Sequence, residues 1–398
     1  MAVKDVYKLR LTHIAPGGDA LGRLEGKPVF VEGGAPDETV CCRVLQEHNT
    51  WARAELLEIV EPSPARVSAA CPFYVQCGGC NLQHIDYDAQ LAAKAAILKD
   101  SFLKIGGLQP PQTVIVPSPP WEYRNRMQFH CFRQKAKGTD SRQYGLMGRR
   151  SGEIIDIQDC LVAVTGIREI LKSPKGNGRE GNELTLPVEK DRFTVFSKDG
   201  VLLSEGGSRK GKITLLDKEI LIDAGLFFQS NCFMLEKLIT ELRIIAAEAD
   251  TNLPMADLYC GVGTFTCFLK DMFPRITLAE ENKAAVSLAR ENLRGTDAEF
   301  FAVRDTDWPR TLLRRKDAFG FAVVDPPRAG LAPKLAAALA REGPLILAYV
   351  SCDAASLARD CKILTNGGYA LKKLSLFDFY PQTAHIESLA VFRHSRNT

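Results

Sequence analysis

From Phe227 onward the chain alternates apolar runs of strand length with amphipathic stretches of helix length, and no other pattern in it restricts the fold so tightly. Met234 to Ala249 has helical spacing. Pro254-Met-Ala-Asp-Leu-Tyr-Cys260 reads as a buried strand running into Gly261-Val-Gly263-Thr-Phe, with a further helix behind it. Ile276-Thr-Leu-Ala-Glu280 is a second strand ending in a carboxylate, followed by a helix from Lys283 to Leu293. Glu299-Phe-Phe-Ala-Val303, Phe319-Gly-Phe-Ala-Val-Val324 and Leu345 to Val350 supply further strands. Ala370 to Phe379 and Glu387-Ser-Leu-Ala-Val-Phe392 can pair as a hairpin at the edge. Such alternation calls for a doubly wound sheet covered by helices on both faces. Ligands bind such sheets beyond the carboxyl ends of the strands, so the residues that end strands are the first candidates for chemistry.

Cys352 is one of them. Ser351-Cys352-Asp353 follows the apolar run Pro344-Leu-Ile-Leu-Ala-Tyr-Val350 and leads into a helix, Ala354 to Leu364, whose amino end would help stabilise a thiolate. A lone cysteine is more often a small buried residue, so its surroundings have to decide. Asp257, Gly261, Gly263 and Glu280 fill the places of a glycine-rich cofactor turn and of an acid that accepts ribose hydroxyls. The turn lacks the third glycine of the dinucleotide fingerprint, which favours S-adenosylmethionine over NAD. In Asp325-Pro-Pro-Arg328-Ala-Gly330 two prolines stiffen the loop after a buried strand and hold Asp325 at the sheet edge. His385 and Glu387 stand two apart, so on a strand they would share one face. Glu387 beside Ile386, Leu389 and Val391 has reason for a raised pKa, as a base working near neutrality requires. A satisfied edge-strand carboxylate is the commoner case.

The first 225 residues read differently. Residues 1 to 62 form short alternating stretches, Val6 to His13, Lys27 to Val31, Thr39 to Leu45 and Ala52 to Val60, between glycine turns, which fits a small oligonucleotide-binding barrel. Cys71, Cys77 and Cys80 then fall within ten residues, with Gly78 and Gly79 allowing a tight wrap around a metal. Cys160 is the candidate fourth ligand, and spacing leaves zinc and an iron-sulfur cluster both open. After an amphipathic helix, about Asp88 to Ile105, residues to about 225 read as a β-rich middle domain broken by a polar loop, Ser173 to Asn182. Within it, Arg124, Arg126, Arg133, Lys135, Lys137, Arg142, Arg149 and Arg150 interleave with Trp121, Tyr123, Phe129, Phe132 and Tyr144. That mixture suits a surface that tracks phosphates and stacks bases, or equally a solvated strand face with core aromatics. Net charge is only +3, too small to name a partner. There is no apolar run of about eighteen residues and no apolar leader, so a cytoplasmic protein with no membrane partner is expected.

Taken together, Cys71, Cys77, Cys80 with Cys160, Tyr123-Arg-Asn-Arg126, Phe227-Phe-Gln229-Ser-Asn231, Asp257-Leu-Tyr-Cys-Gly261-Val-Gly263, Asp325-Pro-Pro-Arg328, Ser351-Cys352 and His385-Ile-Glu387 resemble the RNA uracil-5-methyltransferases that carry a TRAM domain and a [4Fe-4S] cluster. The resemblance spans essentially the whole chain, with the motifs in the family's order. It implies a multidomain α/β chain: a TRAM barrel over 1–62, a central β-rich domain with the cluster and an RNA-binding surface over 63–225, and a Rossmann-like class I methyltransferase sheet over 226–398. It also implies Cys352 as nucleophile and Glu387 as general base. Gln229, Tyr259, Gly261, Glu280 and Asp325 then contact S-adenosylmethionine or the target base, and Cys71, Cys77, Cys80 and Cys160 hold the cluster. The substrate implied is 23S ribosomal RNA, with the T loop of tRNA second, and the enzyme is expected to be a monomer. Two positions depart from the pattern: the barrel's Pro-Gly-Glu reads Pro36-Asp37-Glu38, and Asp353 follows the cysteine where Asn is common. A radical enzyme would space its cysteines differently, an exocyclic-amine methyltransferase would not need Cys352, and an RNA-binding assembly factor would need neither Cys352 nor Glu387.

Overall fold

Short strands with glycine at the crossings close into a barrel at the amino end. In the computed structural model, which describes residues 5–136, 139–173, 191–311 and 319–395, these are β1 (Val6–Ile14), β2 (Ala20–Leu24), β3 (Lys27–Glu32), β4 (Thr39–Glu47) and β5 (Ala52–Glu61), in the order β1-β2-β3-β5-β4. Lys137 and most of the loop from Ser173 to Asn182 lie outside the described residues. The strand β2 was not legible as one because Gly22 interrupts its apolar pattern. A Cβ at Gly22 would stand 2.7 Å from the Leu9 side chain, so glycine is what lets β1 and β2 approach. In the turn before β4, the departing residue and its neighbour behave differently. Asp37 takes a left-handed φ of 66°, the conformation in which glycine is ordinarily preferred. Glu38 is fully buried, accepts from Ala35 N at 2.8 Å and pairs with Arg66.

The chain divides into two units, one of Met1–Ile97, Leu146–Ile155 and Tyr380–His385, the other of Leu98–Gly145, Asp156–Phe379 and Ile386–Thr398. These boundaries cut across the composition boundaries near residues 62 and 225. The helix α1 (Tyr87–Ser101) runs on into one π-helical turn, Phe102–Gly106. The strands that follow are β6 (Val114–Val116), β7 (Arg126–Ala136), β8 (Thr139–Met147) and β9 (Ile154–Ile155), then α2 (Thr165–Lys172), β10 (Arg192–Lys198), β11 (Val201–Ser204) and the hairpin β12 (Lys210–Leu215) with β13 (Lys218–Asp223). In the second unit β8, β7, β10 and β11 pair antiparallel in that order.

The second unit is organised by an eight-stranded sheet. Its elements are α3 (Cys232–Ala246), β14 (Met255–Leu258), α4 (Thr264–Leu269), β15 (Ile276–Glu280), α5 (Lys283–Asn292), β16 (Ala298–Ala302), α6 (Trp308–Thr311), β17 (Phe321–Val324), α7 (Pro333–Glu342), β18 (Ile346–Ser351), α8 (Ala354–Asn366), β19 (Tyr369–Phe377) and β20 (Glu387–His394). The order is β16-β15-β14-β17-β18-β20-β19-β6, parallel from β16 to β18, with β20 antiparallel between β18 and β19. Every residue of β14, β17 and β18 is buried. A strand covered on both faces needs a continuous apolar run rather than alternation, and each large aliphatic side chain so buried contributes about 1.5–3 kcal/mol. The expected edge hairpin is present but does not end the sheet. Val114–Val116 adds to β19 in parallel, a pairing across more than two hundred residues of chain that local pattern cannot announce.

Candidate active site

Register brings the strand-ending residues to one level. Leu258 pairs with both Ala279 and Val324, so the next residues, Tyr259, Glu280 and Asp325, leave the carboxyl edge side by side. Antiparallel pairing between β18 and β20 ends with Ser351 opposite Ser388, and one further step along that register sets Cys352 against Glu387. The nucleophile candidate and the base candidate therefore meet although 34 residues lie between them (387 − 352 − 1). Cys352 is half-buried and Glu387 is 3% exposed. His385 is exposed and precedes the strand, which starts at Glu387, so the two do not share a strand face. Asp353 accepts from Ser356 N at 2.7 Å and caps α8, which accounts for an acid at the position after the cysteine.

Electrostatics at this edge are dominated by buried acid. Burial, then the neighbouring carboxylates of Glu387 and Asp325, push the Cys352 thiol up to about 11, with Arg328 pulling the other way. Burial and the charge of Asp325 raise Glu387 well above the ordinary carboxylate range, again against Arg328. Burial and Asp257 raise Asp325 to about 7, opposed by Gln229, whose Nε2 lies 3.5 Å from its Oδ2. Asp257 itself is raised to about 7 by burial while accepting from Thr266 Oγ1 at 2.6 Å. Among the described residues, the buried oxygens Gln229 Oε1 and Glu387 Oε1 have no hydrogen-bond partner. Polar atoms desolvated without a partner are costly, so such atoms at the carboxyl edge of a sheet are candidates to receive a polar ligand.

The glycine loop has the form a cofactor needs. Gly261 and Gly263 have φ of 55° and 81°, and a Cβ added at Gly261 would meet nothing within 4 Å. Tyr259, with a side chain, also takes a left-handed φ of 64°, a strained choice at the end of a buried strand. Its hydroxyl donates to Asp305 at 3.0 Å and its ring meets Trp308 edge-on at 4.5 Å. Glu280 Oε2 accepts from Gly261 N at 3.2 Å and its Oε1 from Asn282 N at 2.8 Å, which fixes the acid beside the loop. These residues fit the methionine and ribose portions of S-adenosylmethionine: open backbone at the glycines and an acid held at their side.

Sequence reasoning missed the hub behind the site. Asn125, in the middle of Tyr123-Arg-Asn-Arg126, donates to Ser197 O at 2.7 Å and accepts from Cys232 N at 3.0 Å. Asn231 is fully buried, caps α3 through Met234 N and donates to Ser118 Oγ and Phe379 O at 3.0 and 3.1 Å. Gln229 is thus pinned two residues from a closed polar network. The signal was an asparagine ahead of an apolar helix, which reads equally as an ordinary cap.

The three clustered cysteines lie on one loop of the first unit. Gly79 N approaches Cys77 Sγ at 3.4 Å, and Cys77 bridges Gly148. Arg149 donates to the carbonyls of Tyr74 and Cys80, to Glu32, and stacks on the Tyr74 ring at 4.9 Å. Arg150 pairs with Asp19 and Glu32. Cys160 is half-buried in the other unit, on a loop held by Asp159 and Arg168, and only Ile154–Ile155 of the stretch before it is a strand. Among the described residues no three His, Cys, Asp or Glu side chains converge as a metal site. The donor chemistry of the cysteines suits a thiophilic metal.

The basic, aromatic window is also partly internal. Tyr123, Phe129 and Tyr144 are buried, and Phe129, Tyr144 and Phe193 form a cluster with centroids 5.3–5.7 Å apart, Tyr144 meeting both phenylalanines edge-on. Strand alternation on β7 turns Met127 and Phe129 inward, which removes them from any base-stacking surface. Arg149 and Arg150 are spent on the cysteine loop and the barrel. Among the described residues the exposed large aromatics lie elsewhere, at Phe227 (66%) and Phe233 (50%).

A mostly parallel sheet with a glycine loop after β14 and an antiparallel β20 inserted at its end defines a class I methyltransferase fold. A solved structure of Pyrococcus abyssi tRNA (uracil-54, C5)-methyltransferase in complex with S-adenosyl-L-homocysteine superposes with a TM-score of 0.72, covering 97% of this chain and 100% of that one at 24% identity. The family model described as tRNA (Uracil-5-)-methyltransferase matches residues 311–395, the TRAM domain matches 3–57, and the methyltransferase small domain matches 234–347. An uncharacterized RNA methyltransferase of Treponema denticola is 32% identical over 93% of this chain and 94% of its own length. The 23S rRNA (uracil(1939)-C(5))-methyltransferase RlmD of Shewanella halifaxensis is 29% identical over 96% and 95%. The chain belongs to the RNA uracil-5-methyltransferase family and is an RNA methyltransferase. Among the described residues no helix is long and apolar enough to cross a membrane.

Proposed function

We propose that this enzyme methylates carbon 5 of a uridine in RNA, through a covalent bond between Cys352 and carbon 6 of the base. The observation that carries the reading is the register that sets Cys352 against Glu387 at the sheet edge that also carries the glycine loop. Carbon 5 of uracil is too weak a nucleophile to be alkylated directly, so covalent activation is required. The thiol proton leaves to water, Arg328 favouring the anion, and the Cys352 thiolate adds to carbon 6, moving the ring's electron pair onto carbon 5 and oxygen 4 as an enolate. Tyr259, Gly261 and Glu280 would hold S-adenosylmethionine, which would supply the electrophilic methyl group that carbon 5 takes up as the carbon–sulfur bond breaks and neutral S-adenosylhomocysteine is released. Glu387 then accepts the proton from carbon 5, and the electron pair released re-forms the 5,6 double bond as the thiolate leaves. Its raised pKa makes it a stronger base than an exposed carboxylate. Gln229 and Asp325 orient the base, their facing polar atoms supporting that role. A paired uridine hides both ring faces, so the target lies in a loop or is flipped out.

Large-subunit ribosomal RNA is the proposed substrate, supported by the near full-length match to enzymes named for 23S rRNA; the T loop of tRNA is the second reading, supported by the Pyrococcus abyssi neighbour. The protein is proposed to act as a monomer in the cytoplasm. Cys71, Cys77, Cys80 and Cys160 are proposed to hold a [4Fe-4S] cluster that organises RNA binding, since methyl transfer is redox-neutral. Iron and sulfide analysis of protein purified without oxygen tests the cluster, and cluster-free folded protein with full RNA affinity would remove that role. Nucleoside mass spectrometry of 5-methyluridine in separated ribosomal and transfer RNA tests the function, comparing cells with the gene, without it, and carrying Cys352→Ala. Loss from one fraction restored only by the unaltered gene is expected; no change in either refutes the reading.

A further inference from the structure

We infer that Asp360 is a positioning residue for the reaction: it clamps the 325–331 loop to α8 and thereby fixes where Arg328 stands beside Cys352 and Glu387. This deepens the function proposed above and rests on it. Asp360 lies in the middle of α8 and is fully buried. A carboxylate there is costly unless each oxygen is paired, and both are. Its Oδ2 accepts from Tyr349 Oη at 2.7 Å and from Leu331 N at 2.8 Å. Its Oδ1 accepts from Arg359 Nε and Nη2 at 2.9 and 2.8 Å, and the same Nη2 donates to Ala329 O at 2.8 Å. The loop is therefore gripped on both sides of Gly330. At that position φ is 78°, and a Cβ would stand 2.5 Å from Asp360 Oδ2 and 2.6 Å from Arg359 Nη2, so glycine is required for the clamp to close.

The geometry reaches the chemistry in one step. The gripped carbonyl of Ala329 is adjacent to Arg328, the cation that acts on both the thiol and the base against their carboxylate neighbours. Helix α8 begins directly after Cys352, with Asp353 as its cap. One rigid element thus carries the nucleophile at its amino end and holds the opposing cation from its second turn. The charged groups acting on the Cys352 thiol are Glu387 from β20, Asp325, whose N–H donates to Leu258 O at 3.3 Å and holds it to the strand edge independently of the clamp, and Arg328 next to the gripped Ala329. A plain structural tether would affect folding without changing the balance among these three.

The test is the rate of iodoacetamide modification of Cys352 between pH 7.5 and 9.5, read by peptide mass spectrometry on the full chain without RNA or cofactor. It is made with kcat and KM for methyl transfer, in wild type, Asp360→Ala, Asp360→Asn, Arg359→Met and Tyr349→Phe. Freeing the loop withdraws Arg328 from the thiol, so Asp360→Ala is expected to slow alkylation about three- to tenfold and to lower kcat about tenfold, with KM for S-adenosylmethionine within about twofold. Arg359→Met shifts both the same way. Asp360→Asn keeps an acceptor for Leu331 N, shifts less in the same direction, and carries the test if the alanine variant does not fold. Tyr349→Phe cuts only the strand side and leaves alkylation at the wild-type rate. Wild-type alkylation in folded Asp360→Asn and Asp360→Ala, or an equal loss in Tyr349→Phe, overturns the proposal. Retained methyl transfer in Cys352→Ala would overturn the nucleophile assignment instead, leaving the alkylation result for the loop to stand separately.

Discussion

Replacing Glu387 by Gln should make Cys352 more reactive and the enzyme inactive. The thiol sits at about 11 against an ordinary 9.0, a difference of two units, so near neutral pH its thiolate is about a hundredfold scarcer than in an unperturbed cysteine. Burial is the largest cause and a glutamine leaves it in place; the charge of Glu387 is next, and a glutamine removes it. Removing that charge lets the thiol fall back toward its ordinary range, so alkylation of Cys352 in Glu387→Gln should be severalfold faster than in wild type. The sign has a pH dependence. Glu387 is itself raised, so it repels the thiolate only where it is ionised, and the two proteins should react alike in acid and diverge as pH rises. Methyl transfer should fall by about two to four orders of magnitude, since the proton on carbon 5 has no acceptor. With RNA and S-adenosylmethionine, the methylated adduct on Cys352 should accumulate as a band of reduced mobility on a denaturing gel. Alkylation that is unchanged or slower across the whole pH range would refute the electrostatic reasoning, and near-normal turnover would refute the role of Glu387.

Asp257 offers a stability test. Its folded value of about 7 lies above the ordinary 3.8, so the folded state holds the extra proton between them, and stability is lost as pH rises from about 4 to about 7, by up to about 4 kcal/mol. Asp257→Asn removes that dependence, and urea unfolding of the two proteins at pH 5 and 8 should show the mutant gaining relative to wild type with pH; parallel curves would count against it. Gly261→Ala places a methyl group in open space at a left-handed φ of 55°, costing about 1–2 kcal/mol of stability. Calorimetry should show S-adenosylmethionine affinity reduced at least about tenfold; unchanged affinity with a lowered melting temperature would move the cofactor away from this loop.

Much of the site was legible before any coordinates. Strands written as continuous apolar runs, ended by the Gly261 turn, Glu280, Asp325 or Cys352, specify a sheet and place those residues at one edge, because a parallel sheet puts all its carboxyl ends on one side. The glycines at 261 and 263 were legible for the same local reason: only a left-handed turn needs them there. Aromatics in the basic window misled in part, since alternation says which side chains share a face and not which face is covered; Phe129 and Tyr144 went inside with Phe193, a partner far along the chain.

What the sequence alone determined is therefore the set of local commitments: most of the barrel strands, helix caps, the glycine turn, and which side chains are candidates for the chemistry. The tertiary structure decided everything set by pairing across long separations. It opposed Cys352 and Glu387 by antiparallel register, laid Val114–Val116 on β19, closed Asn125 and Asn231 into a hub, and hung the Arg328 loop on Asp360. The physical reason is the same in each case. A hydrogen bond or a buried charge is worth making only when its partner is delivered by the rest of the fold, and the partner's position is written nowhere near it in the chain.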